Sequence, residues 1–141
     1  MLDTFLIFYF SFFILHLGID YGTSQIWLAI SKVGIAIPFC VLDEASFFEQ
    51  LPKILTENSI QTIVVGVAIG YDPYGKQYGV FKWFIDRVRK AAPESVEVVE
   101  QDEDLSTFEA QESLDKLGSK DHLDDVAASI ILQRYLDKGS K

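Results

Sequence analysis

The chain has 141 residues, 49% of them hydrophobic, which is enough for one domain with a real core and too few for two. Its formal charge of −9 argues against a general nucleic-acid binder, since those are usually basic. The charge is uneven: Glu94 to Asp125 carries twelve acids and two bases, whereas "KWFIDRVRK" just upstream groups Lys82, Arg87, Arg89 and Lys90. One region is suited to cations and the other to phosphate, although two solvated surfaces of opposite sign would read the same way.

Residues 1–13, the start of "MLDTFLIFYFSFFILHLGI", are strongly apolar but lack the basic start and small-residue cleavage site of a signal peptide. About ten apolar residues precede the first strand, against about 20 needed to span a bilayer as a helix. Three readings stand: an extension packed on the domain, a membrane anchor, or sequence from upstream of the true start. The anchor ranks last, so a membrane partner is not expected and the cytoplasm is the expected location.

"ILHLGID" and "QIWLAIS" read as strands joined by the turn "YGTS", and "GIAIPFCVL" as a third, so the start is an antiparallel meander. Cys40 lies in that third apolar run. As the single cysteine it forms no intrachain disulfide, and a buried structural thiol is expected. His16 and His122 are not at metal-ligand spacing. "DEASFFEQLPKILTEN" has Phe47, Phe48, Leu51 and Leu55 at helical spacing, with Pro52 expected to split or bend the helix. "IQTIVVGVAIG" is the continuous run of a central buried strand. "YDPYGKQYG" reads as a loop containing Lys76, and "VFKWFIDRVRKAAP" as an amphipathic helix stopped by Pro93. "VEVVEQ" is a strand followed by "DEDL". "STFEAQESLDKLG" has the capping-box spacing of Ser106 and Glu109. In "HLDDVAASIILQRYLDKG" a last helix presents Ala127, Ile130, Ile131 and Leu136 on one face.

This order predicts one α/β domain over residues 14–138, a mixed sheet with helices on its faces, ending in a frayed tail at 139–141. Sites on such sheets form beyond the carboxyl ends of strands, where strand order switches. Asp20 ends the first strand, Asp102, Glu103 and Asp104 end the last, and Asp124 and Asp125 open the final helix. Each has a bland explanation as a turn acid, a solvated loop or a helix-terminus acid. Brought together, they would repel one another unless a cation held them, and all-oxygen ligation suits Mg²⁺ or Mn²⁺. Two such ions can activate water and stabilise a leaving oxygen in phosphodiester cleavage.

"LGIDYGTS", "IVVGVAIGYDPYGKQ", "EQDEDLSTFEAQ" and "DHLDDVAASIILQRYL" resemble, in order and spacing, the motifs of the YqgF/RuvX family. The resemblance covers about residues 14 to 138. It implies an RNase H-like fold with a five-stranded mixed sheet, and a nuclease that uses Mg²⁺ or Mn²⁺. The implied activity is processing of the 5′ end of pre-16S rRNA in ribosome biogenesis, or resolution of Holliday junctions. The family's catalytic, metal-binding acids fall on Asp20, Glu103 and Asp124. The partner is then structured RNA or branched DNA, and the DNA case requires a two-fold homodimer. Lys76, Lys82, Arg87 and Arg89 are the candidate phosphate contacts. The family's usual basic pair is here Ser24-Gln25, its small glycine is Trp27, the arginine of its "DER" is Asp104, and its "PLNMDG" loop reads "AIGYDPYG". Fewer cations mean weaker phosphate contact, so a non-catalytic scaffold is the competing reading from another class.

Overall fold

The computed structural model describes residues 14–22, 24–67, 76–102 and 123–139. The apolar segment 1–13, the "STFEAQESLDKLG" segment and His122 lie outside the described residues. The described strands are β1 (Leu15–Tyr21), β2 (Ile26–Lys32), β3 (Ile35–Leu42), β4 (Ile60–Val67) and β5 (Glu97–Asp102). They form one sheet of order β3-β2-β1-β4-β5. The pairs β1–β2 and β2–β3 are antiparallel, while β1–β4 and β4–β5 are parallel. The carboxyl ends of β1, β4 and β5 therefore share one edge. Chain order reverses between β1 and β4, which puts the switch point beside Asp20.

Alternation along the strands divides the core in two. Leu17 and Ile19, Leu28 and Ile30, and Ile63, Val65 and Val67 face helices α1 (Glu44–Glu57) and α2 (Lys76–Ala91). Phe47, Leu51, Phe84, Ile85 and Val88 close that layer. Ala29 and Val64 face helix α3 (Leu123–Gly139) on the other side, through Ala128, Ile131 and Leu132. Ile63, Val64 and Val65 are all fully buried, as expected of a strand covered on both faces.

Several expectations need correcting. Pro52 does not split α1, which runs unbroken from Glu44 to Glu57 with Pro52 inside. Proline removes one helical donor, but buried Phe47, Leu51, Ile54 and Leu55 hold both halves on the sheet. Asp43 caps this helix by accepting a 2.7 Å hydrogen bond from the Ser46 amide. Lys76 is not in a loop; it is the first residue of α2. The buried face of α3 is Ala127, Ala128, Ile131 and Leu132, with Ile130 only half-buried. Cys40 is half-buried, and desolvation pushes its thiol up, which keeps it protonated.

The β2–β3 connection is the two-residue turn Val33-Gly34, with φ of 55° and 77°. β3 is an edge strand that exposes Ile35, Ile37, Phe39 and Val41. Its ladder is interrupted where Ala29 pairs with Pro38 and Leu28 with Cys40, leaving Phe39 as a bulge. Proline and a bulge both discourage pairing with a further strand.

On the α3 face, His16 takes a 3.2 Å contact between Nδ1 and the Ser31 hydroxyl, and its ring lies 5.7 Å from that of Tyr135. Burial holds the imidazole below its ordinary value of 6.5, outweighing a backbone hydrogen bond involving Ile14. The unfolded chain then binds a proton that the folded chain resists. Stability is full above about pH 6.5 and falls as the pH drops from there through the folded value. Melting temperatures between pH 7 and pH 5 should show this loss, and His16→Gln should flatten it.

Candidate active site

β1 carries Asp20 as its penultimate residue, directly paired with Trp27 of β2. Ile19 is level with Val65, and Val65 with Glu100. One step further along, Asp20 is level with Gly66 and Gln101, which pair with each other. The row at the switch edge therefore reads Trp27, Asp20, Gly66, Gln101. It belongs to the α3 face, because Asp20 has the parity of Gly18 and Trp27 packs on the α3 core. Asp20 is only partly buried, whereas Gln101 is 3% exposed. Sequence reading missed Gln101; its only signal was a polar residue inside an alternating strand.

The direction of α3 follows from its contacts with β1. His16 stands against Tyr135. A Cβ at Gly18 would lie 2.7 Å from Leu132 Cβ and 3.2 Å from the Ala128 carbonyl oxygen. Moving up β1 from His16 to Gly18 thus moves down α3 from Tyr135 to Ala128. Two strand residues advance about 6.6 Å and one helical turn about 5.4 Å. The turn before Ala128 contains position 124, at the level of Asp20. The Asp124 side chain itself is outside the described residues. Glu103, the residue after the end of β5, is outside them too. Among the described residues no group of three His, Cys, Asp or Glu side chains could hold a metal.

The candidate phosphate contacts are on the other face. α2 packs with α1 over the core that Leu17 and Ile19 enter, so it reaches Asp20 only around the sheet edge. Arg87 is 3.6 Å from Glu44 and lies 4.0 Å from the Phe48 ring centre and 4.9 Å from that of Trp83. Arg89 is 3.9 Å from Asp86. These pairs are about half exposed and contribute little to stability, but they occupy both guanidinium groups. Lys82 is exposed, and the side chain of Lys76 is outside the described residues.

Tyr21, next to Asp20, points to the α2 side. Its ring stacks on Phe84 at 4.1 Å, and its hydroxyl donates to Glu44 at 3.4 Å. Burial, then the Glu44 charge, raises the phenol above its ordinary value, so it stays neutral.

Residues 15–138 match the family model described as RuvX: Holliday junction resolvase. A "putative pre-16S rRNA nuclease" of Chloroflexus aggregans is 33% identical over 132 residues, covering 86% of this chain and 92% of the relative. One of the same name from a Sulfurihydrogenibium species is 29% identical over 129 residues, covering 86% and 89%. Thermus thermophilus RuvC, solved in complex with a Holliday junction substrate, superposes with a TM-score of 0.60. That match covers 90% of this chain and 97% of RuvC at 16% identity, a likeness of fold. The class so defined is a hydrolytic nuclease of RNase H-like fold. The chain belongs to the RuvX family.

Proposed function

We propose that this protein is a divalent-metal-dependent endonuclease acting on the 5′ region of pre-16S rRNA in the cytoplasm. Asp20, Glu103 and Asp124 are the carboxylates that would hold Mg²⁺ or Mn²⁺. The observation that carries this reading is the antiparallel run of α3 across β1, which brings position 124 level with Asp20 at the switch edge. The donor set is all oxygen, as hard cations require. When bound, the metal supplies charge neutralisation at the scissile phosphate and an activated water. The chain's own share is positional. β1 fixes the Asp20 backbone between two paired strands, and the close approach at Gly18 fixes α3 against it. The substrate is the one for which the Sulfurihydrogenibium and Chloroflexus relatives are named.

The family description and the junction bound by RuvC favour a second reading, cleavage of branched DNA by a homodimer. A cleavage assay in Mg²⁺ and in Mn²⁺ separates the two, with a pre-16S rRNA 5′ fragment and a four-way DNA junction as substrates. RNA cut with the junction left intact is expected. A cut junction with intact RNA replaces this reading with the second, and two intact substrates leave the scaffold role.

A further inference from the structure

The face opposite Asp20 carries an aromatic cleft that the acids do not use. Tyr21, Gly79, Val80 and Trp83 line it. Its wall, Tyr21, follows Asp20 directly, about 3.8 Å away between Cα atoms. Tyr21 is fixed by stacking on Phe84 and by Glu44. Phe47 and Phe84 of the same layer are fully buried, yet Trp83 is 50% and Val80 47% exposed. The Arg87 guanidinium lies 4.9 Å from the Trp83 ring centre, and half of the Trp83 surface remains open to a ligand. A Cβ at Gly79 would meet nothing within 4 Å, so the cleft is open there. In a chain of net charge −9, α2 carries Lys76, Lys82, Arg87, Arg89 and Lys90 against one acid, Asp86.

An exposed indole on a locally basic helix has the chemistry of a base-stacking platform. Every nucleobase has a π face, but a paired base inside a duplex cannot offer it to a side chain. We infer that this cleft binds an unpaired nucleobase of RNA by stacking on Trp83, with exposed Lys82 facing an adjoining phosphate. A strand seated there turns over the sheet edge at Tyr21 and reaches Asp20 on the other side. The site therefore selects a single-stranded segment next to the point of cleavage. The inference rests on the nuclease reading for its place beside Asp20, but binding itself needs no metal.

The test is tryptophan fluorescence and affinity in EDTA, so that cleavage does not enter. The probes are a ten-residue oligoadenylate and an RNA duplex of equal length. Oligoadenylate should quench the wild-type emission, and the duplex should quench it much less. Trp83→Ala should weaken oligoadenylate binding by about tenfold, within the roughly 5- to 150-fold expected for loss of one stacked base. Its duplex affinity and melting temperature should not change. Trp83→Phe should keep most of the affinity and lose most of the quench. Equal oligoadenylate affinity in wild type and Trp83→Ala overturns the inference, as does an equal loss for both probes. Failure of the nuclease reading is seen elsewhere, in an Asp20→Asn protein that cleaves and responds to metal as the wild type does.

Discussion

Asp20→Asn is expected to lower metal-dependent cleavage by more than about 100-fold, since partners that only orient a metal ligand already cost 10- to 100-fold. The amide keeps the size and one oxygen of the carboxylate but loses the charge that draws a divalent cation. Folding should survive, because Asp20 is only partly buried and β1 is held by β2 and β4 on either side. With Glu103 and Asp124 gathered beside Asp20 as proposed, removing one acid relieves repulsion, so metal-free Asp20→Asn is expected to melt no lower than the wild type. Rates on the rRNA fragment beside metal-free melting curves check both halves. A variant that cleaves normally would remove Asp20 from the reaction.

Gly18→Ala is expected to cost stability and activity together. Glycine inside a strand is ordinarily a weak choice by about 0.5–1 kcal/mol, so alanine at an open site would help. Here the added Cβ would come 2.7 Å from Leu132 Cβ and 3.2 Å from the Ala128 carbonyl, and neither is the free end of a flexible chain. Overpacking of this kind costs roughly 1–3 kcal/mol. In a chain of this size that is a fall in melting temperature of about 5–10 °C. The larger consequence is functional. α3 must move away from β1, and with it position 124 from Asp20. A displacement of about 1 Å can cost on the order of 100-fold in rate. The fall in cleavage should therefore exceed the unfolded fraction at the assay temperature. Combining Gly18→Ala with Leu132→Ala should cost less than the sum of the two, since the second removes atoms that the first collides with.

The fold was legible where a sequence pattern has one physical cause. The run from Ile60 to Val67 needs cover on both faces, and the strand it forms has helices on each side. Asp20 stood out as an acid ending an apolar strand, and it lies at the switch edge. Other features depend on partners distant in sequence. Pro52 signals a break locally, but the helix is held through four buried side chains. Arg87 and Arg89 read as candidate phosphate contacts, because nothing in their own segment shows that Glu44 lies within 3.6 Å of Arg87. Nothing in the segment around Gly18 gives glycine a reason there; the approach of a helix more than a hundred residues later does. The face of α3 was misjudged for the same cause. Ala128 and Leu132 are buried because Gly18 admits them, while Ile130 is turned partly outward.

The most direct measurement of the central claim is the melting temperature of wild type and Asp20→Asn as Mg²⁺ or Mn²⁺ is titrated into the millimolar range. A cation bound only by the folded state stabilises it by about 2.7 kcal/mol at a hundred times its dissociation constant. The account predicts a rise of several degrees in the wild type, saturating with metal, and little or none in Asp20→Asn. Equal responses in the two proteins, or none in either, would contradict it.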